Sequence, residues 1–117
     1  VPVDDPLELL VDREISAVCF VRDHVEPHFD GPVLRALANP WGLYGCRAWR
    51  FPEGQSPVVM RYYIGLTIDS YELVPDRYLA VDSREHRFAI PLDDDSSYPG
   101  PEAAHLIVPD GGGFWIW

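Results

Sequence analysis

In the stretch VEPHFD, Glu26, His28 and Asp30 alternate with Val25, Pro27 and Phe29. On an extended strand, alternate side chains share one face, with successive ones about 7 Å apart. A histidine flanked by two carboxylates can move protons or supply half of a metal site. The same alternation marks the wet face of an antiparallel sheet, which requires no chemistry, and the pattern favours that reading. His24 stands four residues before His28, but Pro27 and the strand pattern forbid the helical spacing that would let two histidines share a metal. His86 alternates with Phe88 and Ile90, and His105 with Ala103 and Ile107, the pattern of half-buried histidines.

Other chemistries lack their residues. No GxSxG sequence or glycine-rich phosphate loop occurs, and Gly111 to Gly113 lead into a strand instead of a helix. All nine basic residues are arginines, so no lysine is present for Schiff-base chemistry or a P-loop. Cys19 and Cys46 form no CxxC and no zinc spacing. The chain reads as cytoplasmic, where two reduced, buried thiols are favoured over a disulfide between them. Asp93-Asp94-Asp95 lacks the DxDxDG loop and distal Glu of a calcium site and reads as a solvated acidic turn. No cofactor is implied.

The elements that must position these residues follow from turn chemistry and periodicity. Asp4-Asp5-Pro6 opens a short helix to about Arg13, with Leu7, Leu10 and Val11 on one face, predicted to lie across the sheet that follows. Ile15 to Arg22 is a strand apolar on both parities, which calls for cover on both faces. Asp23-His24 and Asp30-Gly31-Pro32 are turns, so strands run about Val25 to Asp30 and Val33 to Ala38. Pro27 donates no ladder bond and predicts a sheet edge or a bulge there. Gly42 and Gly45 read as turn residues, with an edge strand from Gly45 to Phe51. Ser56 is placed to cap a second helix, with Pro57 at its first position and Gly65 as its stop. Strands follow at about 66–74, 77–82, 86–92, 102–108 and 114–117.

Ile15, Val18 and Phe20 match Ile68, Tyr71 and Leu73 in spacing, and the Asp23 turn matches the Asp76 turn. This suggests an αβββ half-repeat over 4–40 and 56–92, followed by C-terminal strands in 102–117. The expected fold is a single α+β domain over 1–117: two short helices on a largely antiparallel sheet of seven to nine strands, strongly curved or split into two packed sheets.

The string VCFVRDHV, then HFDGP, GPEAAH and the terminal WIW resembles a family of small bacterial proteins of unknown function. In that family a β-meander with this Asp turn and Phe-Asp-Gly turn precedes a helix and more strands. The resemblance implies that fold and no activity.

The formal charge of −10 over 117 residues argues against nucleic acid and anionic membranes, and no apolar run approaches the roughly 20 residues of a membrane span. Trp115 and Trp117 share one strand face, with Phe114 and Ile116 on the other, and Trp41, Tyr44, Trp49 and Arg50 form a second aromatic group. Candidate interface residues are therefore Trp115, Trp117, Trp41 and Trp49, together with Asp93, Asp94 and Asp95. The leading functional expectation is a non-catalytic acidic protein that binds a basic protein partner, most concretely a toxin-neutralising immunity protein. Two alternatives stand beside it: a metal-dependent or acid–base enzyme using Glu26, His28 and Asp30, and a self-associating module that dimerises through a free strand edge.

Overall fold

The computed structural model describes residues 5–22, 24–93 and 102–117. Ten strands are described: β1 Ala17–Val21, β2 His24–His28, β3 Val33–Ala36, β4 Trp41–Tyr44, β5 Arg47–Arg50, β6 Ser70–Val74, β7 Tyr78–Ser83, β8 His86–Pro91, β9 Ala104–Val108 and β10 Gly113–Ile116. Helix is confined to a 3-10 turn, Pro6–Leu10, and one short α-helix, α1, Ser56–Arg61. The strands form two five-stranded sheets, ordered β1-β2-β3-β9-β10 and β5-β4-β8-β7-β6, and every strand pair is antiparallel.

The molecule is therefore mostly β, with more strands and less helix than the α+β expectation of seven to nine strands. The first helix starts as the sequence dictates, with Pro6 in its first turn and the Leu7 N–H donating to Asp5 Oδ1 at 3.1 Å. It stops after Leu10 because Val11 is already extended, with ψ 137°. The additional strand is β4. Gly42 turns nothing there: it lies in the middle of a strand, opposite Trp49 of β5 and Phe88 of β8. A Cβ at Gly42 would come within 2.6 Å of the Trp49 ring and would also strike the Arg87 carbonyl, so only glycine lets Trp49 fold over the strand into the core.

Connectivity has a two-fold pattern. Each sheet is a three-stranded meander from one half of the chain (β1-β2-β3 or β6-β7-β8), extended by a hairpin from the other half (β9-β10 or β4-β5). The segments that enter the two meanders pair with one another through an antiparallel bridge between Glu14 and Thr67. Around it the hydrogen bonds exchange in pairs. Ile15 N–H donates to Leu66 O at 2.8 Å and Ile68 N–H to Arg13 O at 2.9 Å; Gly65 N–H donates to Ile15 O at 2.7 Å and Asp12 N–H to Ile68 O at 2.8 Å. The shift that carries Glu14 onto Thr67 also carries Asp12, at φ 70°, onto Gly65, at φ 98°. The hairpins correspond as well, Gly42 opposite Trp49 in one and Leu106 opposite Trp115 in the other.

The two sheets enclose one core. Val25, Phe29, Leu34 and Leu106 meet Trp49, Leu79, Phe88 and Ile90, and the helical turns close it with Leu7, Leu10 and Met60. The 3-10 turn packs against β6, a strand of the other meander, instead of lying across the sheet that follows it. β1 lacks the cover its two apolar parities call for: it is a sheet edge, and Phe20 and Val21 are 48% and 39% exposed. Pro27 marks no edge, since β2 lies between β1 and β3. The missing donor instead leaves a gap in one ladder. β2 and β3 register at Val25↔Ala36 and His28↔Val33, whereas on the β1 side Pro27 sits opposite Val18.

Candidate functional site

β2 sends Val25 into the core and turns His24, Glu26 and His28 to the outer face of the first sheet. There Glu26 stands opposite Cys19 of β1, and Arg35 of β3 stands opposite His105 of β9. Glu26 is the centre of the cluster and only 9% exposed. Its Oε2 accepts from Arg35 Nε at 2.6 Å and lies 2.9 Å from His24 Nε2, and its Oε1 is 3.6 Å from His28 Nε2. That last distance is too long for a hydrogen bond, and His28 Nε2 is a buried nitrogen without a partner among the described residues.

Burial alone would raise the Glu26 pKa, but the hydrogen bonds and charges of Arg35 and His24 outweigh it and hold the carboxyl below its ordinary value. Glu26 is thus an ionised, ligated carboxylate, a poor proton donor and a weak base. Asp30 does not join it. β2 ends at His28, and Asp30 is an exposed turn residue at φ 57° whose backbone N–H donates to Ser16 Oγ at 3.2 Å. Among the described residues, no three His, Cys, Asp or Glu side chains are arranged to hold a metal ion. The sequence reading set His24 aside. The signal that finds it is parity: on a strand, positions 24, 26 and 28 share a face, so HxExH is a three-residue cluster even though HxxxH is no metal motif.

At the far side of the same face, His105 Nε2 lies 2.5 Å from Glu102 Oε2, and its ring packs on Phe114 at 5.1 Å between centroids. Phe114 and Ile116 are the exposed pair of β10, at 52% and 51%. The candidate residues Trp115 and Trp117 turn the other way and pack against the core, and Trp49 is buried in it. Trp41 is half-buried, edge-on to Tyr78 at 5.8 Å. Asp93 is exposed, and Asp94 and Asp95 lie outside the described residues. Both cysteines are free. Cys19 is half-buried, but Cys46 is exposed, not buried as expected, because it sits at the tip of the β4–β5 turn.

The outer face of the second sheet is locked by Arg87. It donates to both carboxylate oxygens of Asp82, at 2.7 and 3.0 Å, and lies 3.0 Å from Glu72 Oε1, which also accepts the Tyr78 hydroxyl at 2.7 Å. Asp82 first, then Tyr78 and Glu72, hold the guanidinium pKa above even its ordinary value. This network is structural ion pairing with its partners already supplied.

Several carboxylates in no ion pair among the described residues lie where the two halves meet, one of them, Asp69, accepting the Arg84 backbone N–H. Asp12 and Glu14 flank one side of the Glu14–Thr67 bridge, Asp69 follows on the other, and all three are exposed. Asp5 and Glu8 approach from the 3-10 turn; desolvation, and then these two charges, push the Tyr71 phenol up. Among the described residues Glu8, Asp12, Glu14 and Asp69 take part in no ion pair.

Comparisons with protein-family models, with curated proteins and with solved structures each return no match. No described helix is long and apolar enough to cross a membrane.

Proposed function

We propose that this protein is a non-catalytic binding domain for a basic protein partner, and that the acidic seam around the Glu14–Thr67 bridge is its recognition surface. The observation that carries this reading is the seam's charge: Glu8, Asp12, Glu14 and Asp69 are exposed and in no ion pair among the described residues of a chain with net charge −10. Unpaired surface carboxylates on a rigid sheet junction raise the encounter rate of a cationic partner and repel anionic ones. Support also comes from Glu26 and Arg87, whose ion pairs already occupy the central carboxylate and guanidinium of the two outer sheet faces. An immunity-type inhibitor of a cationic toxin is the most concrete form of this reading.

The test is kinetic. A partner captured by cross-linking in the source cell should be basic, and its association rate should fall steeply with salt as the Debye length shrinks from about 10 Å at 0.1 M to about 3 Å at 1 M. The triple variant Asp12→Asn, Glu14→Gln, Asp69→Asn should slow association about tenfold and leave dissociation nearly unchanged. An association rate indifferent both to salt and to the triple variant sinks the proposal.

A further inference from the structure

A concavity that shares no residue with the acidic seam runs along the free edge of β5. It is a cleft of about 550 Å³ whose wall includes Trp41, Leu43, Arg47, Arg50, Glu53 and Ser56. That volume is within the roughly 300–1,000 Å³ of small-molecule sites. Three features of its wall point to one kind of ligand. Arg47 and Arg50 are both exposed and, among the described residues, neither is in an ion pair or donates a side-chain hydrogen bond, unlike Arg13, Arg35 and Arg87. Ser56 is 1% exposed, and its hydroxyl has no hydrogen-bond partner among the described residues. Trp41 offers an aromatic surface beside them, next to the side-chain-free backbone of Gly42.

Ser56 is expected from its sequence position to cap α1. It does not: the helix already includes Ser56, and Gln55 at the cap position makes no side-chain bond. A buried hydroxyl left unpaired is costly, and sites that bind polar ligands are where such groups are found. Among the described residues, exposed, unpaired guanidinium groups also occur at Arg22, Arg61, Arg77 and Arg84; what sets Arg47 and Arg50 apart is that both line one cleft together with a buried hydroxyl. Glu53 in the same wall offsets one of the two positive charges, which disfavours polyphosphates and suits a ligand with a single negative charge.

We propose that this cleft is a binding site for a small organic monoanion. Its carboxylate-like group pairs with Arg47 and Arg50, its apolar or aromatic body lies against Trp41 and Leu43, and the Ser56 hydroxyl supplies a hydrogen bond at the floor. The site is independent of the acidic seam, so either proposal can fail without the other.

The probe is 1-naphthylacetate, with its neutral isostere 1-naphthylacetamide and inorganic phosphate for comparison, each titrated into the ¹⁵N-labelled full chain. Saturable shifts at the Trp41 indole N–H and at the amides of 47–56 are expected with the acid, about tenfold weaker binding with the amide, and none with phosphate. Arg47→Gln with Arg50→Gln should weaken the acid about tenfold and remove the preference over the amide, with the amide spectrum otherwise unchanged because both side chains are exposed. Ser56→Ala should weaken the acid and keep the preference. No saturable binding of the acid, equal affinity for the amide, or an unaltered affinity in the double arginine variant overturns the proposal, and an unaltered affinity in Ser56→Ala removes Ser56 from it.

Discussion

The Tyr63 hydroxyl accepts the indole N–H of Trp49 at 2.8 Å and points its own proton at the carbonyls of Leu43 and Arg87, at 2.9 and 2.8 Å. One phenol thereby ties the segment after α1 to three neighbouring strands of the second sheet, β5, β4 and β8, at the place where Trp49 folds over Gly42. Tyr63 is 2% exposed, and without its hydroxyl the buried Trp49 indole N–H would lose this partner.

Tyr63→Phe should accordingly cost about 1–3 kcal/mol in chemical denaturation, more than a surface change, because it strands the Trp49 N–H. Burial pushes the Tyr63 phenol up, so the folded state stays protonated where the unfolded state ionises. Its contribution is complete below the ordinary tyrosine pKa of about 10 and is lost as pH rises above it. Wild-type stability should fall above pH 10 more steeply than that of Tyr63→Phe; parallel alkaline limbs would refute this role.

Glu26 gives the opposite limb. Its folded pKa is lowered by Arg35 and His24 against the effect of burial, so its stabilisation is present above the unfolded value of about 4.3 and is lost as pH falls through the lower folded value. Glu26→Gln should flatten the loss of stability below about pH 4.5. At pH 7, Arg35→Ala should cost about 2 kcal/mol, since it leaves a largely buried carboxylate without its shortest partner. Urea midpoints measured from pH 3 to 8 check both; an acid limb unchanged by Glu26→Gln would show that other carboxylates set it.

The exchanged hairpins predict how the chain behaves when cut. Each sheet takes its last two strands from the other half, and the Glu14–Thr67 bridge joins the segments between them. Severed between Gly54 and Gln55 and expressed separately, the two halves should each lack a fixed core and should recover tryptophan near-UV ellipticity only on mixing, as a 1:1 complex. A half that folds cooperatively as a monomer contradicts this reading of the topology.

Much of the local structure was legible from short-range chemistry. Asp30-Gly31 and Asp76 turn the chain where their types predict, with φ of 57°, 131° and 63° at Asp30, Gly31 and Asp76, and the alternation of Val25 and Phe29 with polar residues pointed to the correct face of β2. The matched spacing of Ile15 with Ile68 was also visible, and both are buried at 1%. These features depend on a few neighbouring residues, so a sequence can carry them unaided.

The remainder depends on residues far apart in the chain. Gly42 resembles a turn residue until Trp49 and Arg87 are placed against it, and Ser56 resembles a cap until the packing of α1 buries its hydroxyl. Period-two spacing separated Trp115 and Trp117 from Phe114 and Ile116, but which pair faces the core depends on the sheet that β10 joins. Pro27 lacks a donor in any context; whether that ends a sheet or only opens one ladder is decided by β3, which the chain reaches through the Asp30 turn. The sequence by itself determined the hairpins of the two meanders and the parity of their faces, because these arise within about ten residues. Only the tertiary structure decided that each half would lend its second hairpin to the other's sheet, because that choice is made by one shared core drawn from both.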